Sequence, residues 1–415
     1  MLIKKLEKES ITSSITYSVS ESEITRIFDS EASIEEKHDL EQIVIYVTKG
    51  KNRTNIYAKT NDSEDKIVSR AVSLLSNIGE TQFEGITAGK VKYKFSGKPA
   101  KQNNIVADFL DESAKAGITL NGTIKQNKVK VHIVDSFGKD ISIQTSGNEV
   151  NLNGKKSYIG AYGRVYGQDE KIDAKAAINE IESLADIKPT WVDFQGKADA
   201  ILLPMASSVL FSMLAQSASA FDVLNHESFL VDKVNTDVAS EVVSIQDRFD
   251  GPDFTPFDDE NTKCSNFYIV KNGKLLELLQ NNTTAATMKT KNHGNAGIIS
   301  GAPRNLFLEN GSLSYNELLE KTERCIVVNN LWYTRFNNIL KGDYSTMPKD
   351  AVLLVEKGVV KGAIKNLRIS DNILNQLKNV MYFGNDARYV KSWENEIPTH
   401  VPSVLVKDVN FTKSY

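Results

Sequence analysis

Apolar residues recur at Ile67, Val68, Ala71, Val72, Leu74, Leu75 and Ile78. That spacing is a helical stripe, and it predicts a helix over 62–78, with Asn61 or Asp62 as N-cap and Gly79 as its stop. A second amphipathic stretch, 104–116, is closed by Gly117, and a third runs from an Asp173 cap to about residue 184. Between them, short alternating segments predict strands at 15–19, 24–28, 43–47, 54–58, 91–95, 118–124, 129–134 and 141–145. The polar turns KGKNR and KQN separate two of these pairs, and the aromatic, glycine-rich YIGAYGRVY (158–166) also reads as β.

The pattern changes at 198–233. A short apolar strand at 200–203 is followed by Pro204, which suits a first helical turn because its missing N–H is not needed there. A helix of Leu, Met, Ala and Ser is predicted over about 205–221, with no charge before Asp222. A helix without a polar face is buried on all sides. Beyond it the chain reads mostly as strands, at 242–245, 267–270, 275–278, 326–328, 352–356, 359–368 and 403–409, with one helix at 371–380. The fold class is therefore α+β: an N-terminal α/β domain (1–100), a central α+β domain (101–190), and a β-rich C-terminal domain (191–415) whose curved sheet or barrel wraps the buried helix.

Composition adds limits. The 415 residues suffice for two or three domains, and 40% hydrophobic with 25% charged is ordinary for a globular protein. A net charge of −3 and the absence of basic runs give no case for nucleic acid or an anionic membrane. Only Cys264 and Cys325 are present, which indicates a reducing compartment or indifference to redox. The N-terminus lacks a signal-peptide apolar core and no apolar run is long enough for a membrane span, so cytoplasm is the expected location.

Few residues argue for chemistry on their own. The helix over 205–221 holds no His or Glu, so it carries no HExxH-type zinc motif. His226–Glu227 lacks a second His at the required spacing. Ser207, Ser208, Ser212 and Ser217 have no G-x-S-x-G turn around them and read as helix-packing hydroxyls. Asp258, Asp259 and Glu260 are consecutive acids whose side chains do not converge, and they read as a solvated turn. Asp343 and Ser345 read as a turn that caps a strand, with substrate contact the sharper alternative. His293, beside Asn292 and Gly294, reads as a loop hydrogen-bonder. The run Trp332, Tyr333, Arg335, Phe336 reads equally as a half-buried strand and as the aromatic and cationic anchors that interfaces and peptide clefts use.

Several segments together resemble the TldD/PmbA family. They are the strand–proline–helix start at 198–217, SFLVD (228–232), FDDEN (257–261) with the hairpin after it, TAATMKTKNHGNAG (284–297), PRNLFLENG (303–311), GDYS (342–345) and FGND (383–386). VDSFG (134–138) extends the likeness weakly into the first half, and the family's first helix looks shortened or missing before residue 15. The resemblance implies a zinc motif HExxxH on the central helix of active members, and a Cys near the C-terminus as a further ligand. Counted from Pro204, the motif's two His and its Glu fall on Ser212, Ser217 and Met213, and residues 386–398 hold no Cys. The family implication is a TldE/PmbA-like subunit without zinc of its own. It would pair with a zinc-bearing TldD-like chain to process unstructured peptides, which Trp332, Tyr333, Arg335, Asp343 and His293 are candidates to contact. The alternative is a homodimeric peptide-binding or scaffold protein that keeps the fold without a protease partner.

Overall fold

In the computed structural model, residues 2–80, 85–97, 104–167, 170–297 and 299–413 are described. The first half is built on one seven-stranded sheet. Its strands are β1 (Thr12–Phe28), β2 (Glu31–Lys49), β3 (Asn52–Ala58), β4 (Lys92–Ser96), β5 (Thr119–Asp135), β6 (Asp140–Lys155) and β7 (Ile159–Tyr166), ordered β3-β2-β1-β5-β6-β4 with β7 also on β6. The sheet is antiparallel except where β4 joins β6. Residues on both sides of the boundary expected at 100 therefore share one sheet, since β1 pairs with β5 from Ser14↔Asp135 to Ile27↔Gly122.

The strands are longer than the hydrophobic pattern predicts. The segments read at 15–19 and 24–28 are one strand, as are those at 118–124 and 129–134. The stretches between them carry polar side chains on both faces, so no apolar alternation marks them. Pairing along both edges of β1 holds them extended. Four helices pack on this sheet: α1 (Leu2–Lys8), α2 (Glu64–Asn77), α3 (Ile105–Ala116) and α4 (Ala174–Ala185). Ser63, not Asn61 or Asp62, caps α2 by accepting from Lys66 N at 3.3 Å. Gly117 ends α3 at φ 65°, and Asp173 caps α4. Leu2, Leu6, Ile15, Ile45, Ile67 and Ala71 form one core beneath α1 and α2, while Phe109, Val150, Leu152, Ile178 and Ile181 form a second beneath α3 and α4.

The second half surrounds α5 (Pro204–Ser217), in which every residue except Gln216 is buried. Two sheets enclose it. The larger contains β8 (Trp191–Val192) and β9 (Gly196–Leu202), and its remaining strands are Arg324–Asn338, Asp343–Glu356, Val359–Ile364, Leu367–Asn372, Val380–Phe383 and Val404–Lys413. Five of these close on themselves. Gly196–Leu202 pairs with Arg324–Asn338 and with Val404–Lys413, which pairs with Leu367–Asn372, then Asp343–Glu356, and so back to Arg324–Asn338. The smaller sheet joins Lys274–Leu275, Phe267–Lys271, Ile245–Asp247, Leu306–Phe307, Thr399–Val401 and Arg388–Val390. Both sheets contribute to one core with Val209, Leu210, Phe211 and Leu214 of α5. The α+β class and the curved, partly closed sheet around a buried helix agree with the pattern of the sequence. The helix itself ends at Ser217 rather than Phe221, and Ser219 caps a separate short helix, Ala220–Leu224. Among the described residues no helix is long and apolar enough to cross a membrane.

Candidate functional site

The central helix is the first place to look for chemistry. Its hydroxyls are turned back onto its own backbone. Ser208 Oγ donates to Met205 O at 2.8 Å, Ser212 Oγ to Val209 O at 3.0 Å, and Ser217 Oγ to Met213 O at 2.8 Å. Ser207 Oγ donates instead to Pro402 O at 2.7 Å and so ties the helix to the loop after Thr399–Val401. A zinc site takes three or four nitrogen, thiolate or carboxylate donors. Ser212, Met213 and Ser217 supply none, and among the described residues no three His, Cys, Asp or Glu side chains are grouped to hold a metal. Burial pushes the thiols of Cys264 and Cys325 up to about 12, away from the thiolate form that binds metal. The residues of this helix do not fit zinc.

The C-terminal end of α5 opens on a cavity of about 320 Å³, lined by Ser217, Ser228, Glu227, Gly301, Phe336 and Ile339 among others. Ser228 Oγ donates to Ser217 O at 2.7 Å, which anchors the SFLVD segment to the end of the helix. Phe221, Leu224, Ile299, Ile339 and Leu340 are exposed on the segments around this mouth.

Trp332, Tyr333 and Arg335 come together around Glu394, a residue that the sequence did not single out. Glu394 Oε1 accepts from Tyr333 N at 2.8 Å and Oε2 from Thr334 N at 2.9 Å, and Arg335 Nη1 lies 3.6 Å away. Tyr333 sits at φ 53°, inside a break of register with the neighbouring strand. Such a bulge re-aims side chains. The Trp332 and Tyr333 rings lie 4.7 Å apart, and Lys349 Nζ sits 4.1 Å above Trp332. Trp332, Lys349 and the 84% exposed Trp393 line a groove of about 600 Å³ between the two halves of the chain.

Asp343 and His293 have other partners. Asp343 Oδ1 accepts from Asn372 Nδ2 at 2.9 Å, at a turn between strands. His293 is stacked on Phe267 with centroids 4.2 Å apart, and its Nδ1 is 3.0 Å from Ser265 Oγ. Burial lowers its pKa to about 4, so it is neutral near pH 7. We expect its ring signals in an NMR titration to stay fixed from pH 5.5 to 8; a midpoint in that range would contradict the packing described.

Of the three acids in the FDDEN turn only Asp259 is solvated. Asp258 and Glu260 are 2% and 0% exposed. The sequence misleads here because alternate side chains of a tight turn both fold inward when a second domain covers it. Asp258 Oδ1 accepts from Glu260 N and Thr262 N, and Oδ2 from Ala296 N. Glu260 reaches the other half of the molecule. Its Oε1 is 3.3 Å from Arg53 Nη1 and its Oε2 accepts from Asn282 N at 2.7 Å. Asn261 Nδ2 donates to Asp135 Oδ2 at 2.9 Å and to Ser14 Oγ at 3.0 Å. VDSFG and FDDEN, far apart in sequence, thus meet at the seam between the halves. A second tie is Arg388, whose guanidinium binds both carboxylate oxygens of Glu180 at 3.0 and 2.6 Å and donates to Gly163 O.

Burial raises the Glu260 carboxyl to about 7, against an ordinary value near 4 in the unfolded chain. The folded state therefore holds an extra proton between those limits, and stability falls as pH rises through that window. Wild type should lose more stability than Glu260→Gln between pH 5 and 8, by about 3 kcal/mol in urea unfolding. Equal losses in the two proteins would show that Glu260 does not titrate in this window.

Comparison with known proteins gives the context. Residues 195–413, more than half of the chain, match the family described as PmbA/TldA metallopeptidase C-terminal domain. A metalloprotease PmbA homolog of Buchnera aphidicola is 30% identical over 184 residues, which are 43% of this chain and 40% of that protein. A metalloprotease of Methanothermobacter thermautotrophicus is 28% identical over 201 residues, 46% of this chain and 44% of that protein. The matched stretch thus spans less than half the length of these curated relatives. The crystal structure of TldE from Thermococcus kodakarensis superposes with a TM-score of 0.83 at 19% identity and covers 99% of both chains. A Thermotoga maritima protein described as a modulator of a DNA gyrase gives 0.83 at 21% identity, covering 99% of this chain and 98% of that one. At these identities the likeness is one of fold. From the domain match, the chain belongs to the PmbA/TldD metallopeptidase family.

Proposed function

We propose that this chain is a non-catalytic, TldE/PmbA-like subunit of a cytoplasmic protease. A zinc-bearing TldD-like chain would supply the metal, and the two together would process unstructured peptides. The observation that carries the reading is the central helix. It stands where the family resemblance places HExxxH, yet it presents Ser212, Met213 and Ser217, with both hydroxyls spent on backbone carbonyls. The hairpin tip beside the mouth at the end of that helix supports an assembly role, because Ile339 (45% exposed) and Leu340 (59%) stand out there. Trp332, Tyr333 and Arg335, held by Glu394, are the peptide-contact residues of this proposal.

The test is complex formation with the TldD-like chain of the same organism. Leu340→Glu should weaken the complex at least about tenfold, since it places a charge in an apolar contact, and should leave this chain's own unfolding midpoint unchanged. Complex formation indifferent to Leu340→Glu would remove the mouth from the interface. A stable homodimer that ignores the TldD-like chain would favour the scaffold reading instead.

A further inference from the structure

Residues 31–42 of β2 have an open edge. β1 covers their inner side from Phe28↔Glu31 to Ser18↔Gln42. On the other side, β3 pairs with β2 only from Ile43↔Ala58 to Lys49↔Asn52, after which the chain turns away through 59–62 into α2. Among the described residues nothing pairs with the outer side of 31–42. In an antiparallel strand every second residue points its N–H and C=O outward, so this stretch offers an unpaired row about 40 Å long.

The two faces of the stretch differ. By the pairing with β1, Glu35, Asp39 and Glu41 share one face with Lys37, which is engaged by Glu23 at 3.3 Å. Among the described residues none of those three acids has a basic partner. The opposite face carries Ile34 and Leu40, exposed to 46% and 60%. No proline interrupts 31–42, and its one bulge, at Ser33, lies at the start, so 34–42 run unbroken along the edge. A second copy is a poor occupant, because edge-to-edge pairing would bring acids against acids.

We propose that this edge accepts, as an added strand, an extended segment of a partner polypeptide in which basic residues alternate with apolar ones. Basic side chains would lie beside Glu35, Asp39 and Glu41, and apolar ones beside Ile34 and Leu40. Main-chain hydrogen bonds would hold the segment and the alternation would set its register. The inference rests on the sheet alone and stands or falls separately from the subunit reading.

The probe is a short fluorescein-labelled peptide of alternating lysine and valine, titrated with the purified full chain at low salt and read by anisotropy. A second peptide of the same sequence carries N-methyl groups on alternate amides, which keep the charge and remove the strand hydrogen bonds. The proposal expects binding of the first peptide and at least about tenfold weaker binding of the second. It expects a similar loss for the first peptide on Glu35→Lys with Asp39→Lys and Glu41→Lys, all surface changes that leave the core intact. Equal binding of both peptides would reduce the effect to charge attraction and overturn strand addition. No binding of the unmodified peptide would overturn the proposal outright, and that arm depends on no variant.

Discussion

Glu260→Ala is expected to lower the unfolding free energy by about 3 kcal/mol at pH 7, because removing a buried, half-ionised acceptor from its donors costs about 1–3 kcal/mol. The carboxylate serves three groups: the backbone N–H of Asn282, the hydroxyl of Tyr46 at 3.5 Å, and Arg53 Nη1, which also donates to that hydroxyl at 3.1 Å. Glu260→Gln retains a carbonyl oxygen at the same place and should cost less than about 2 kcal/mol. The contrast matters because the seam joins two cores that otherwise belong to separate sheets. Alanine should therefore also separate the transition into two phases, the N-terminal sheet unfolding apart from the domain around the central helix. Urea unfolding followed by a probe in each half measures both effects. Coincident transitions with a loss below about 1 kcal/mol would show that FDDEN does not couple the halves.

The second large effect is expected at Phe211, at the middle of the central helix and 0% exposed. Its ring packs 5.8 Å from that of Phe383, and its neighbours on the helix belong to the core shared by both sheets. Truncation to alanine removes a full aromatic side chain from a site enclosed on all sides, and such changes cost about 3–5 kcal/mol. Phe211→Leu should recover more than half of that loss, since the volume is largely restored. Thermal unfolding of the two variants tests this. A loss below about 1 kcal/mol for alanine would mean that the helix is not the packing centre and that its lack of polar residues has another cause.

The sequence made some of these features legible and hid others, for physical reasons. The central helix was visible because a run of Leu, Met, Ala and Ser after Pro204 has no polar face to expose. Gly117 and Asp173 marked helix ends because each acts locally, through a left-handed backbone and a carboxylate cap. The long strands Thr12–Phe28 and Thr119–Asp135 were broken in the reading because their polar middles are fixed by edge pairing, which leaves no trace in hydrophobic alternation. Asp258 and Glu260 looked solvated because their partners, Ala296, Asn282 and Arg53, lie far away in the chain. Glu394 was missed for the same reason. It serves the backbone of Tyr333 and Thr334 about sixty residues earlier, and only the fold brings them together. The family motifs were legible as a set, and the structure gives a reason. FDDEN, VDSFG and the Gly-Asn-Ala segment are the parts of one polar seam.

The function of this chain turns on whether the helix at the family's metal position carries none. The most direct measurement is bound zinc, together with cleavage of an unfolded peptide. Both would be determined on this chain alone and on its complex with the TldD-like chain of the same organism. A non-catalytic subunit should show no stoichiometric zinc and no cleavage alone, and should form a complex that cleaves with its zinc on the partner. Stoichiometric zinc, or chelator-sensitive cleavage by this chain by itself, would contradict that role and would mean that ligands outside Pro204–Ser217 build a metal site.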